Sequence, residues 1–211
     1  KMHQKIISKY DACWVPDVEE AINLSEKLGH SKKVKFPVTY IGPLSRLSKK
    51  VLPKKYDVLV LLSGPEPQRT MLEIKMMEVF LNSDKKVLLV RGIVEEREEI
   101  LQNKNITIFN FLQSKELENA INESEVVVSR SGYTTIMDLA ALEKDAYFIP
   151  TPGQFEQKYL AKELKGRGIV PSCKQHEFTL EKLKEIPLYK GLKEFAYEVN
   201  FKKLFALFEG K

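Results

Sequence analysis

Ser131, Gly132, Thr134, Thr135 and Asp138 crowd the opening turns of a helix that follows the strand-forming run "EVVVS" (125–129). Positions three and four apart share a helix face, so Ser131, Thr134, Thr135 and Asp138 form one polar stripe. The next members of that face, Ala141 and Leu142, are apolar, and the stripe ends there. A solvated face in a chain rich in Lys and Glu would carry Lys and Glu. Short hydroxyls and a single acid suit other chemistry. The free N–H groups and positive dipole end of a helix attract an anion, and a glycine lets a phosphate approach the backbone. A carboxylate one turn deeper only accepts hydrogen bonds, which suits the vicinal hydroxyls of a ribose. Two readings stand together. One is N-capping by Ser131 with Asp138 solvated. The other is a phosphate held by Ser131, Gly132 and Thr134, with Asp138 on a ribose.

A second constellation lies in "PTPGQFEQKYL" (150–160). Glu156 and Gln157 combine acceptors and donors that can read sugar hydroxyls, or they form an ordinary helix cap with solvated neighbours. Arg69, just inside an earlier helix, either neutralises a diphosphate or sits on the surface as most arginines do. Other chemistries find no footing. The chain has no GxxxxGK[ST], GxSxG or HExxH pattern and no Asp-x-Asp pair, and its three histidines are His3, His30 and His176. No metal or cofactor is expected, and no His-centred catalytic site within this chain.

The elements that position these residues alternate strand and helix. Strands are expected at "YDVLVLL" (56–62), "KVLLV" (86–90), "ITIFNF" (106–111), "EVVVS", "AYFIP" (146–150) and a short "GIVPS" (168–172). Helices are expected at 69–81, where Met71, Leu72, Met76, Val79 and Phe80 have helical spacing, and in the charged "VEEREEILQNK" (94–104). Further helices are expected from Ser114 as N-cap, from Tyr133, and over 155–166. Continuous apolar strands joined by short links and helices imply an α/β, doubly wound parallel sheet with right-handed crossovers. With strand order 3-2-1-4-5-6, the ligand crevice opens between the first and fourth strands, facing "SGPEPQR" (63–69) and "SRSGYTT" (129–135).

The ends differ. Residues 1–50 suggest a helix, the strand "ACWV" (12–15), a helix after Asp17 and the strand "VTYIG" (38–42), too little to close a core. The basic "LSRLSKKVLPKKY" (44–56) reads as an interdomain linker, and the segment from about Leu188 as a helix with Leu192, Phe195, Val199, Leu204, Phe205 and Phe208 on one stripe. The division is thus 1–50, 51–187 and 188–211. Hydrophobic residues make up 43% and charged residues 30% of the 211, which fits a globular protein. No apolar run reaches the ~18 residues of a membrane span, and no signal peptide is visible. Cys13 and Cys173 form no CxxC and suggest a reducing compartment. The net charge of +5 is spread among acids, which argues against a nucleic-acid partner.

Taken together, "SRSGYTTIMDLAAL" and "FIPTPGQFEQKYLA" resemble the donor-binding half of glycosyltransferase family 28, and "WVPD" and "VTYIGPLSR" are similar to the end of that family's N-terminal domain and linker. The resemblance implies the C-terminal half of a GT-B fold, two Rossmann-like domains facing across a cleft. It places the family's ribose-binding acid on Asp138, here Asp for the commoner Glu, and its phosphate turn on Ser131 and Gly132. The sugar-reading pair falls on Gln157 and Lys158. Lys158 departs from the two glutamines of the peptidoglycan enzyme, and Glu156-Gln157 resembles the acid–Gln pair of other GT-B enzymes. Base recognition through backbone groups falls near Phe111 and Leu112. The first loop departs from the family's glycine-rich pattern, since Pro65 and Pro67 remove two N–H donors; Arg69 still fits.

The activity implied is inverting transfer of a hexose or N-acetylhexosamine from a UDP-sugar to an acceptor hydroxyl on a glycan, lipid or small molecule. The general base would lie in the N-terminal domain. The setting implied is the cytoplasm, at the inner face of the membrane for a lipid acceptor. A nucleotide-sugar epimerase or hydrolase of the same architecture, and a donor-binding subunit serving a separate acceptor subunit, are the alternatives. Unpaired strand edges in 1–50 suggest self-association of this chain.

Overall fold

The computed structural model describes residues 6–10, 12–20, 22–31, 36–94, 100–195, 202 and 205. Its central feature is a six-stranded sheet of β3 (Tyr56–Leu61), β4 (Val87–Val90), β5 (Ile100–Asn103), β6 (Ile106–Phe109), β7 (Ser124–Ser129) and β8 (Ala146–Phe148), in the order β5-β6-β4-β3-β7-β8. All pairings are parallel except β5 with β6. The order reverses between β3 and β7, which places the switch point where the strand pattern put it.

Strand alternation fills two cores. Leu59, Leu88, Val127 and Phe148 face one side and pack with Ala120 and Ile121 of α2 (Ser114–Glu123), Ile136, Leu139 and Ala140 of α3 (Tyr133–Ala141), and Leu160 and Leu164 of α4 (Phe155–Gly166). Val58, Val60, Leu89, Val128 and Tyr147 face the other, against Leu72, Met76 and Phe80 of α1 (Gln68–Phe80) and against Phe178 and Ile186 near a 3-10 segment, Leu180–Leu188. β3, β4, β7 and β8 are thus buried on both faces, as their unbroken apolar runs require.

Several expectations change. Residues 100–103 of the expected charged helix form a strand instead, in a hairpin with β6 that pairs Asn103 with Ile106; residues 95–99 lie outside the described residues. The turn is set by Lys104 at φ 52° and by Asn105, whose Nδ2 donates to the carbonyls of Phe80 (2.9 Å) and Lys85 (2.6 Å). These bonds tie the hairpin to the end of α1, a tertiary anchor that helical propensity does not see. The cap of α2 is Gln113, whose N–H is accepted by Glu116 at 2.9 Å, so Ser114 becomes the first helical residue. The sixth strand shrinks to one bridge, Phe148 with Ser172. Met71 is exposed, leaving Leu72, Met76 and Phe80 as the buried stripe of α1.

In the N-terminal stretch, β1 (Cys13–Val15) pairs in parallel with β2 (Val38–Tyr40). The helix expected after Asp17 is only a 3-10 turn, Glu26–Leu28. Asp17 is fully buried and accepts from the N–H groups of Val18, Leu24 and Ser25, and these bonds fold the chain back before a helix can start. Tyr133 donates its hydroxyl to the Pro16 carbonyl at 2.8 Å, and Arg167 donates to the Asn23 carbonyl at 2.6 Å, so this piece rests on α3 and on the residue that ends α4. Segment 44–55 lies along α2 and α3 rather than hanging free. Leu47 is buried, and Lys50 N–H donates to Asn122 Oδ1 at 2.9 Å. Beyond the 3-10 turn Lys193–Phe195, the expected terminal helix falls mostly outside the described residues; Leu192 and Phe195 are buried, and Phe205 meets Trp14 edge-on at 5.9 Å. Val199, Leu204 and Phe208 lie outside the described residues.

Candidate functional site

The crevice between β3 and β7 is bounded by four loop ends. β7 ends at Ser129, and α3 opens three residues later with Gly132 at its N-cap. No side chain caps that end, so its first N–H groups face outward unpaired by a capping oxygen. Gly132 has an ordinary backbone conformation, φ −69° and ψ 143°. What glycine provides here is room: a Cβ would meet nothing nearer than Thr135 Oγ1 at 3.9 Å. Thr134 is exposed beside it.

Ser131 is placed differently from a phosphate ligand. It is fully buried, and its hydroxyl donates to the Gln157 carbonyl at 2.8 Å. Ser131 therefore joins the start of α3 to the start of α4. Gln157 is held as well. Its Oε1 accepts from Thr151 N–H at 2.9 Å and its Nε2 donates to Gln154 Oε1 at 2.6 Å. Glu156 and Lys158 flank it and are exposed. One polar face thus runs from Gly132 to Gln157, with Ser131 as the rivet beneath it.

Asp138 is half-buried one turn below the helix opening. It accepts from Ser45 Oγ at 2.7 Å. Burial raises its carboxyl above the usual range, and the Ser45 hydroxyl and the Arg46 charge oppose that rise. Arg46 also walls a surface depression of about 720 Å³ with Leu112, Gln113 and Asn119. Phe111 and Leu112 follow β6 directly, and neither backbone N–H has a hydrogen-bond partner among the described residues. Asp138 and Leu112, read from distant stretches of sequence, are thereby linked through one arginine.

Arg69 lies at the first loop but is not free. It is paired with Glu66, meets Glu73 Oε2 at 3.3 Å, and donates to the Arg91 carbonyl at 3.5 Å. Glu66 also accepts from Thr70 N–H at 3.2 Å. A carboxylate from the loop itself thus occupies the start of α1, and the hydrogen bond from Thr70, first among several contacts, lowers its pKa. A diphosphate reaching Arg69 would have to displace Glu66.

Arg130 is the functional candidate that residue type alone does not disclose. It is 1% exposed and donates to the carbonyls of Ile149 (3.1 Å), Pro150 (3.4 Å) and Gln68 (2.7 Å), and to Gln175 Oε1 (2.9 Å). No carboxylate pairs with it among the described residues. Burial pulls its pKa down to about 10, still cationic at neutral pH. An unneutralised charge at the floor of the crevice adds a positive field beneath the loops. Its only sequence signal is position, directly after β7. Among the described residues no three His, Cys, Asp or Glu side chains gather as metal ligands, and no helix is long and apolar enough to cross a membrane.

Residues 60–195 match the profile of the glycosyltransferase family 28 C-terminal domain. A relative from Sulfurihydrogenibium sp. (strain YO3AOP1), a UDP-N-acetylglucosamine--N-acetylmuramyl-(pentapeptide) pyrophosphoryl-undecaprenol N-acetylglucosamine transferase, is 23% identical over 68% of this chain and 44% of its own length. A protein of the same name from Methylobacterium radiotolerans is 38% identical over 33% of this chain and 19% of its own length. Among solved structures, the calicheamicin glycosyltransferase CalG4 superposes with a TM-score of 0.52 at 10% identity, over 76% of this chain and 40% of that one, a likeness of fold. The chain spans less than half the length of these proteins.

Proposed function

The chain belongs to glycosyltransferase family 28 through its C-terminal domain, and from that premise we propose that it is the donor-binding part of an inverting glycosyltransferase, holding a UDP-sugar at the crevice between β3 and β7. One observation carries this reading: half-buried Asp138 sits a turn below an uncapped helix start, and Arg46, which acts on it, walls the depression beside Leu112. Diphosphate, ribose and base each find a surface of matching chemistry in that order.

In this reading the diphosphate lies over Gly132 and Thr134, where backbone N–H groups and the helix dipole receive it. Asp138 accepts from the ribose hydroxyls. The base fills the depression, read by the backbone of Phe111 and Leu112. Glu156, Gln157 and Lys158 face the transferred hexose or N-acetylhexosamine. Reaction forms a bond from the acceptor oxygen to the anomeric carbon while the bond from that carbon to the phosphate oxygen breaks. The electron pair leaves with UDP, and the acceptor proton passes to a base outside this site. Charge developing on UDP is met by the α3 start, by Arg69 once Glu66 moves aside, and by the field of Arg130. No cofactor is invoked.

The acceptor is a glycan, lipid or small molecule. The name of the Sulfurihydrogenibium relative, an undecaprenol-linked acceptor enzyme, favours a lipid-linked one and hence work at the cytoplasmic face of a membrane. A thermal-shift titration tests the reading. UDP should raise the melting temperature in proportion to its occupancy, while ATP at the same concentration should not.

A further inference from the structure

Segment 41–50 does more than connect. It crosses α2 and α3 and is fastened along its length. Ser48 N–H donates to Glu118 at 2.7 Å, Asn122 Nδ2 donates back to the Ser48 carbonyl at 3.1 Å, and Leu44 N–H reaches Met137 Sδ at 3.3 Å. At its centre Ser45 makes two bonds of opposite sense. Its Oγ accepts from Leu47 N–H at 3.0 Å and donates to Asp138 Oδ1 at 2.7 Å. The first bond fixes the direction of the second: with a lone pair committed to Leu47, the single hydroxyl proton points at Asp138. Asp138 Oδ1 keeps one lone pair open, and Oδ2 has no hydrogen-bond partner among the described residues. Arg46, on the same strap, adds a favourable charge to this carboxylate.

We propose that Ser45 is a positioning residue that makes the donor site selective for a ribonucleotide over a 2′-deoxyribonucleotide. This rests on Asp138 reading the ribose, as proposed above. A carboxylate free to turn about its last bond can re-aim an oxygen at a lone 3′-hydroxyl and recover part of what the missing 2′-hydroxyl costs. Held at Oδ1, Asp138 keeps one orientation, in which Oδ2 and the open lone pair of Oδ1 lie side by side and match two adjacent hydroxyls. Loss of the 2′-hydroxyl then costs a charge-assisted hydrogen bond that rotation cannot recover. The Ser45 hydrogen bond also opposes the rise that burial gives this carboxyl.

Calorimetric titration of the 211-residue chain with UDP and with 2′-deoxy-UDP tests this. The wild type should prefer UDP by about tenfold, the scale of one charge-assisted hydrogen bond. Ser45→Ala should lower that preference to about twofold and shift the acid limb of UDP binding to higher pH. Ser45→Thr, which keeps the hydroxyl, should retain the preference. Equal weakening of both nucleotides in Ser45→Ala with an unmoved acid limb would reduce Ser45 to a structural fastener and overturn the proposal. Unchanged affinity for both would overturn it too. A wild type that binds neither nucleotide overturns the donor-site reading itself, a result distinct from a selective wild type with an indifferent variant.

Discussion

The Ser131 hydroxyl donates to the Gln157 carbonyl at 2.8 Å, and through this one bond the start of α3 is fixed to the start of α4. The two helix openings proposed to face phosphate and sugar are therefore tied to each other. Ser131→Ala should remove this link between the two helix starts and lower stability by about 0.5–1.5 kcal/mol, the net scale of one hydrogen bond. Donor affinity should fall through misalignment, and UDP-sugar should weaken more than UDP. Urea denaturation paired with nucleotide titration separates the two effects.

Arg130 satisfies three carbonyls and Gln175 while buried. Arg130→Met keeps much of the volume but strands those acceptors, and a loss of about 3 kcal/mol or more is expected. Arg130→Lys should rescue little, since one ammonium cannot reproduce the guanidinium fork. Denaturation midpoints of both variants check this.

Glu66 occupies the α1 start as an internal anion. Replacing it with Gln should release Arg69 from one of its two carboxylates, leaving Glu73, and tighten UDP by about two- to fivefold, a modest gain because the pair is partly exposed and screened. The gain should shrink in 0.5 M salt. Unchanged affinity would remove Arg69 from the diphosphate.

Asp138 has a carboxyl raised by burial. A raised acid favours its protonated form in the folded state. Its contribution to stability is therefore full below the unfolded pKa and lost as pH rises through the folded one, so the ionised group costs stability at neutral pH. Asp138→Asn should hold or raise the melting temperature at pH 7 while weakening UDP at least tenfold, the scale of a charge-assisted hydrogen bond. Its pH-stability curve should also be flatter than the wild type's just above the ordinary carboxylate range.

Lys144 is buried, its ammonium donating to the Ser124 carbonyl beside Lys54. Burial first, then Lys54, pushes its pKa down to about 7. For a lysine depressed on folding, the stability it contributes is present above the unfolded pKa and lost as pH falls through the folded one. Stability should therefore decline as pH falls from the unfolded lysine pKa, about 10.4, to about 7 and level off below it, and Lys144→Met should flatten that decline in urea melts across the same range.

Much of this was legible beforehand because apolar runs and helix openings are local signals. The five main strands, the switch point between β3 and β7, and the helix that opens before Asp138 all follow from residue type and spacing. What was not legible depends on contacts distant in sequence. The hairpin at 100–109 is anchored by Asn105 on the end of α1, a contact invisible in the charged run before it, whose pattern reads as helix through Lys104. Arg130 has the type of a surface residue and the burial of a core one. Ser45 lies 93 residues from Asp138, and no local pattern joins them.

The most direct test of the donor site is an amide NMR titration of the chain with UDP. Shifts should concentrate at Leu112, Gly132, Thr134 and Asp138, and Asp138→Ala should weaken them far more for UDP than for inorganic phosphate. A second cavity, of about 580 Å³, lies at the opposite ends of the strands between Asp57, Glu125 and Leu183. Shifts confined to that cavity, or none at millimolar UDP, would contradict a donor site at the crevice.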